Sequence, residues 1–198
     1  MKFGRYADRY DSSFMGRGSG RFYADLVCAL EIRDGDAVLD VGCGTGSVLS
    51  VIRRQSDIVG YGLDASPQMI EAARKKNPDC RFQAGDSAHL PYADASMDVV
   101  MACMAYHHFP EQAAFRQEAR RVLKPGGRLY ICDPRFPGIV RALLNTCFKD
   151  AGFYSVRRNA SEFERSGFKV QRIIRDLYVQ VLCMEKSPSQ PDCLIKAE

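Results

Sequence analysis

Residues 38–46 read Val-Leu-Asp-Val-Gly-Cys-Gly-Thr-Gly: an apolar run ends in an acid and opens into a loop with glycine at every second position. Such a stretch is a strand feeding a tight turn, where a ligand approaches bare backbone. Around it, strand-like runs at 37–41, 58–63, 80–84, 97–103 and 127–132 alternate with helical spacings at 46–55, 67–76 and 111–123. This alternation predicts a parallel sheet with helices on both faces. Ser66-Pro67 reads as a helix start, with serine as cap and proline in the first turn. Pro125-Gly126-Gly127 reads as a turn.

The flanks differ from this alternation. Residues 19–32 carry Phe22, Leu26, Ala29 and Leu30 at helical spacing and stop before Asp34-Gly35. Residues 138–151 are also helical in pattern, through Ile139, Val140, Leu143, Leu144 and Phe148. A short helix at 160–166 and Gly167 follow, then apolar runs at 168–174 and 177–184 joined by Arg175-Asp176. So short a link makes an antiparallel hairpin.

The spacing of acids narrows the ligand. Asp64 lies twenty-two residues beyond Gly42, at the end of the next apolar run, where a ribose is held by its hydroxyls. A dinucleotide loop of the Gly-x-Gly-x-x-Gly type needs its third glycine at position 47, which is Ser47 here. Asp40, two residues before the first glycine, also opposes a pyrophosphate. Two like charges about 4 Å apart cost roughly 4 kcal/mol at an effective dielectric near 20. Beside a cation the same carboxylate is favourable. The pattern therefore selects a cationic, amino-acid-bearing nucleoside, which is the chemistry of S-adenosylmethionine.

With these residues the sequence resembles the class I S-adenosylmethionine-dependent methyltransferases, nearest to the small ones of the ubiquinone/menaquinone-biosynthesis type. The likeness runs from about Tyr6 to Lys186. Val38–Gly46 matches the family's first motif and Gly62-Leu-Asp-Ala-Ser-Pro-Gln-Met-Ile-Glu-Ala-Ala-Arg74 its second. Gly85-Asp86-Ser87-Ala88, Leu90-Pro-Tyr-Ala-Asp-Ala-Ser-Met-Asp98 and Arg121-Val-Leu-Lys-Pro-Gly-Gly-Arg-Leu129 follow in the family's order. The resemblance implies an α/β, Rossmann-like, seven-stranded and mostly parallel sheet with helices on both faces and the last strand antiparallel. It implies one methyltransferase domain over 1–186, with 1–33 as an N-terminal cap segment and helix, and 187–198 as a mobile tail.

It also implies roles. Asp40, Gly42, Cys43, Gly44, Thr45 and Gly46 would surround the methionyl part, with Asp40 complementing its positive charge. Asp64 would bind both ribose hydroxyls, and Ala65 and Met69 would pack on the adenine. Asp86 would accept from the adenine amino group, with the Ser87 amide near the ring and Cys103 at the end of the fourth strand. Met104-Ala-Tyr-His-His-Phe109 stands where the family places substrate-facing residues. There His107 or His108 is either a general base, an orienting group or a loop-structuring histidine. Tyr6 and Tyr10 either cover the cofactor carboxylate and acceptor site or pack on the surface, and Arg135 and Phe136 are candidate lining of the acceptor pocket.

Composition excludes several classes. The 198 residues, 46% hydrophobic, suit one domain with a full core. A net charge of +4 is too mild to imply a nucleic-acid partner. There is no run long enough to span a bilayer, and Met1-Lys-Phe-Gly-Arg-Tyr lacks the apolar core of a secretory signal. A cytoplasmic protein acting on a small-molecule acceptor, as a monomer or homodimer, with no nucleic-acid or membrane partner, is the expectation. The cysteines at 28, 43, 80, 103, 132, 147, 183 and 193 form no Cys-x-x-Cys pair, so they read as reduced thiols and no metal is expected. Two other readings stay open: a catalytically silent cofactor-binding regulator or partner subunit, and a nicotinamide-dependent oxidoreductase.

Overall fold

The computed structural model describes residues 14–147 and 152–188, with the backbone alone for 14–21. Helix α1 (Phe14–Ala29) precedes β1 (Ala37–Val41), α2 (Ser47–Ile52), β2 (Val59–Asp64), α3 (Pro67–Lys76), β3 (Arg81–Ala84) and β4 (Met97–Cys103). A 3₁₀ turn (Tyr106–His108), α4 (Gln112–Val122), β5 (Leu123–Pro134), α5 (Gly138–Cys147), α6 (Val156–Arg165), β6 (Phe168–Arg175) and β7 (Val179–Lys186) follow. The strands form one sheet in the order β3-β2-β1-β4-β5-β7-β6. Strands β1 to β5 pair in parallel, and β7 lies antiparallel between β5 and β6. This is the Rossmann-like, seven-stranded sheet with a reversed last strand that the sequence predicts.

Side-chain alternation along the central strands divides the core into two layers. Val38, Met101, Cys103, Tyr130 and Cys132 face the layer of α1, α2 and α3. Leu39, Val41, Val100, Leu129 and Ile131 face the layer built with α4 and α6, where Phe115 and Phe163 are fully buried. Burial of each such phenylalanine contributes about 2–3 kcal/mol. Helix α3 starts as its sequence specifies: the Ser66 hydroxyl accepts from the Met69 amide at 3.3 Å, and Pro67 opens the first turn. Arg74, Lys75 and Lys76 in its last turn oppose the negative end of the helix dipole.

Four local differences from the sequence reading have physical causes. Pro125-Gly126-Gly127 is not a turn before β5 but a bulge inside it. Met97 pairs with Leu123 and Val99 with Arg128, so the extra residues loop out while the ladder resumes on both sides. Gly126 takes φ +71°, and Lys124 Nζ anchors the bulge on Asp98 Oδ2 at 2.7 Å. Helix α6 begins at Val156, because the Ser155 hydroxyl caps it by accepting from the Arg158 amide. The β6–β7 link spans 176–178, since the Asp176 amide closes the hairpin on the Val179 carbonyl at 2.9 Å. Helix α5 forms over 138–147 yet buries none of its residues: Ile139 is 87% and Leu143 62% exposed.

Residues 1–13 of the expected N-terminal cap segment and helix (1–33), and 189–198 of the expected tail (187–198), lie outside the described residues. Among the described residues no helix is long and apolar enough to cross a membrane.

Candidate functional site

The carboxyl ends of β1, β2, β4 and β5 meet along one edge of the sheet. The first component is the glycine loop after β1. The amides of Gly42 and Cys43 both donate to the Leu63 carbonyl, at 2.7 and 3.0 Å, which folds the loop onto the end of β2. Gly42 has φ +78°, and a Cβ there would lie 2.4 Å from the Ala105 Cβ, so only glycine lets the segment after β4 pack on the loop. Gly44 also has a positive φ, but a Cβ there would meet nothing within 4 Å among the described residues. The space beside its backbone is open to a ligand. Asn77 Nδ2 donates to the Gly46 carbonyl at 3.2 Å and the Ser50 hydroxyl does the same, so the loop exit is held from α3 and α2. Thr45 is buried, its hydroxyl 3.1 Å from that of Ser47.

Two carboxylates flank this loop. Asp64 Oδ2 accepts from the Gly44 amide at 2.9 Å and Oδ1 from the Ser66 amide at 2.8 Å. Each oxygen keeps a further acceptor site, enough for a pair of vicinal hydroxyls. Burial raises the Asp64 pKa while the two amides lower it. Asp40 is 1% exposed, and among the described residues its Oδ1 has no hydrogen-bond partner. Burial, and secondarily the neighbouring Asp64, push its pKa up to about 8. An unpartnered buried carboxylate of this kind lacks a cation or donor. The sulfonium and ammonium of S-adenosylmethionine supply such charge, its ribose suits Asp64, and Gly44 leaves room, so the residues present fit the cofactor.

The remaining residues named from sequence for the cofactor divide into three groups. Cys43 and Cys103 are buried and inert: burial first raises the Cys43 thiol, and contact with Cys132 first raises that of Cys103. Asp86 is exposed after β3, with Oδ1 accepting from the Ala88 amide at 2.9 Å, while Ser87 is buried. Ala65 is exposed, whereas Met69 is 3% exposed and offers a ligand little surface.

After β4, His107 is buried, and His108 rests against it with ring centroids 4.0 Å apart. Burial, then His107, lower the His108 pKa to about 4. Phe136 sits edge-on to Phe153 at 5.2 Å, and Phe153 stacks on His107 at 4.5 Å, so these rings form one aromatic wall. Arg135 is exposed and pins the β6–β7 hairpin, its NH1 donating to the Asp176 carbonyl at 3.0 Å, which gives it a structural partner. Tyr6 and Tyr10 lie outside the described residues.

Sequence reasoning missed Asp133, Phe153 and Asn77. Asp133 carried the same signal as Asp40, an acid ending an apolar strand in Tyr-Ile-Cys-Asp, but nothing in the sequence shows that it meets His107. Among the described residues no group of three or more His, Cys, Asp or Glu is placed to hold a metal ion.

On this sheet the glycine loop, the amide-bound Asp64 and the buried Asp40 fit the cofactor-binding end of a class I S-adenosylmethionine-dependent methyltransferase domain. Residues 39–131 match the methyltransferase domain family. The chain is 36% identical over 129 residues to the 27-O-demethylrifamycin SV methyltransferase of Amycolatopsis mediterranei, covering 62% of this chain and 47% of that protein. It is 39% identical over 100 residues to the demethylmenaquinone methyltransferase of Chlorobaculum parvum, covering 50% of this chain and 42% of the relative. It thus spans about half the length of the curated relatives it matches.

Among solved structures, a chain from the Haloferax volcanii complex of the Trm112 methyltransferase activator with a methyltransferase superposes with a TM-score of 0.85 at 23% identity, covering 94% of this chain and 98% of that one. A SAM-dependent methyltransferase from Aquifex aeolicus superposes with a TM-score of 0.69 at 20% identity, over 83% and 89% of the two chains. The methyltransferase domain over residues 39–131 and these relatives support a class I S-adenosylmethionine-dependent methyltransferase of the ubiquinone/menaquinone-biosynthesis type, with S-adenosylmethionine as its cofactor.

Proposed function

We propose that this chain transfers a methyl group from S-adenosylmethionine to a small-molecule acceptor. The observation that carries this reading is the buried, unpartnered Asp40 carboxylate beside the open face of Gly44 and the amide-bound Asp64. The bound cofactor supplies an electrophilic methyl on a positively charged sulfur. The chain's task is alignment and exclusion of water, because the methyl is already activated and the leaving sulfur is neutral.

Asp40 receives the cofactor's positive charge and Asp64 fixes the ribose. The Gly42–Gly46 backbone lies along the methionyl part, and Asp86 with the Ser87 amide reads the adenine. The acceptor enters from the segments after β4 and β5, where His107, His108 and Phe136 stand. The names of the two curated relatives, a demethylrifamycin O-methyltransferase and a demethylmenaquinone methyltransferase, both denote small organic acceptors, which supports the same class here.

The test is calorimetric titration with S-adenosylhomocysteine, followed by transfer of labelled methyl to a library of small hydroxyl, carbon and nitrogen acceptors and to total RNA. Binding with label on small molecules is expected. Label on RNA alone overturns the acceptor class, and a folded protein that does not bind overturns the cofactor assignment.

A further inference from the structure

The acid that ends β5 grips one residue at two atoms. Asp133 Oδ1 lies 2.8 Å from His107 Nδ1, and Oδ2 accepts from the His107 backbone amide at 3.1 Å. Both side chains are nearly sealed, at 4% and 5% exposure. Phe153 stacks on the imidazole with an interplanar angle of 21°, and the Gly152 amide donates to the His107 carbonyl at 2.7 Å. Ring plane, backbone and carbonyl of His107 are therefore all fixed.

An ionised carboxylate only accepts, so the proton of a neutral imidazole sits on Nδ1 and the lone pair on Nε2. Among the described residues Nε2 has no hydrogen-bond partner. Nor is Nε2 one of the sealed, unpartnered atoms of the described residues, so solvent reaches it. His107 is held by one nitrogen and offers the other.

The pair stands beside the cofactor loop. Ala105, two residues before His107, is the residue that the missing Cβ of Gly42 accommodates. Cys103 lies within the electrostatic reach of both Asp40 and Asp133. His108 does not compete for the role, since a conjugate acid near 4 makes a poor base toward a hydroxyl.

We propose that His107 is the general base of the methyl transfer, that Asp133 is its positioning residue, and that the acceptor atom is a hydroxyl oxygen that keeps its proton near neutral pH. This rests on the methyl-transfer reading above. The hydroxyl proton passes to Nε2 while an oxygen electron pair becomes the new O–CH₃ bond, and the pair of the broken S–CH₃ bond stays on sulfur. The products are a methyl ether, S-adenosylhomocysteine and an imidazolium that returns its proton to water. No oxidant or further reactant is needed.

The test has two arms on the full chain. Long-range ¹⁵N–¹H correlation of the imidazoles reads the tautomer of His107 without turnover. The Nδ1–H form is expected in the wild type, and Asp133→Asn, whose amide can donate to Nδ1, shifts it to the Nε2–H form. The second arm assays methylation of phenols of graded acidity, from 4-methoxyphenol to 4-nitrophenol, in wild type, Asp133→Asn and His107→Gln. With 4-methoxyphenol both variants lose about 10²–10⁴-fold in kcat at unchanged S-adenosylhomocysteine affinity, the range general-base catalysis contributes. With 4-nitrophenol, which ionises without help, the loss shrinks to a few-fold.

A loss equal across the series means a structural role and overturns the proposal. So does an Nε2–H tautomer in the wild type, or a wild type that binds S-adenosylhomocysteine yet methylates none of these phenols. Absence of S-adenosylhomocysteine binding instead removes the cofactor reading beneath it.

Discussion

Asp64 and Gly44, twenty residues apart, are joined by a 2.9 Å hydrogen bond from the glycine amide to the carboxylate. The bond ties the end of β2 to the loop after β1, so the group assigned to the ribose also shapes the loop assigned to the methionyl part. Asp64→Ala removes both functions. Hydrogen bonds to charged groups contribute about 1.5–3 kcal/mol each, so affinity for S-adenosylhomocysteine falls at least about tenfold. The orphaned Gly44 and Ser66 amides lower stability as well, by about 1–3 kcal/mol each where they stay dry. Calorimetry and urea unfolding of the same variant read the two effects separately.

Asp40 makes cofactor binding a proton-linked event. Its pKa, about 8 through burial and then Asp64, lies above the unfolded value near 4. Between these values the folded protein without cofactor holds the proton and the unfolded chain does not. The stability this group contributes is therefore complete at low pH and is lost as pH rises from about 4 to about 8. Asp40→Asn removes that loss, so its unfolding midpoint exceeds that of the wild type at pH 8 and approaches it toward pH 4. A bound cation favours the carboxylate, so S-adenosylmethionine binding at pH 7 expels a proton. Calorimetry in buffers of different ionisation enthalpy should show this release in the wild type and not in Asp40→Asn, which also binds more weakly.

Gly42 and Gly44 separate folding from binding. Gly42→Ala drives a Cβ against Ala105 at a positive φ. Left-handed backbone costs about 1–2 kcal/mol, and overpacking adds about 1–3 kcal/mol. Gly44→Ala meets nothing and carries only the backbone cost, but its methyl occupies the space left for ligand. Thermal unfolding should drop several degrees for Gly42→Ala and little for Gly44→Ala, whereas S-adenosylhomocysteine titration should show a clear loss for Gly44→Ala.

Arg116 secures the 3₁₀ turn that carries His107. Its NH1 donates to the Tyr106 hydroxyl at 3.0 Å, Nε to the Ser166 hydroxyl at 3.0 Å and NH2 to Glu162 Oε2 at 3.3 Å. Tyr106 is pushed up to about 12, by burial first, against the opposing effect of the Arg116 charge. Arg116→Ala strands the buried Tyr106 hydroxyl, while the Glu162 carboxylate keeps Arg165 NH1 at 3.2 Å from Oε1. A loss of about 1–3 kcal/mol follows, the cost of one buried hydroxyl left without its partner. Chemical denaturation measures it.

The sequence by itself determined the order of the motifs and the cofactor class, and it named the residues proposed above to hold the cofactor. Those signals are local: Val38–Gly46 combines a strand, an acid and a loop within nine residues, and Asp64 ends the next strand. Periodicity also determined the helices and the closing hairpin, because burial on one face repeats along the chain.

Tertiary structure decided what depends on distance through space. Asp133 and His107 are twenty-six residues apart and meet only because β4 and β5 end side by side. The Pro125-Gly126-Gly127 segment reads as a turn in isolation, and pairing with β4 on both sides makes it a bulge. Only the fold shows that Arg135 also ties the β6–β7 hairpin, through the Asp176 carbonyl. The fold decided which of the two histidines is gripped, because a hydrogen bond at 2.8 Å is set by packing in three dimensions, and no spacing along one strand encodes it.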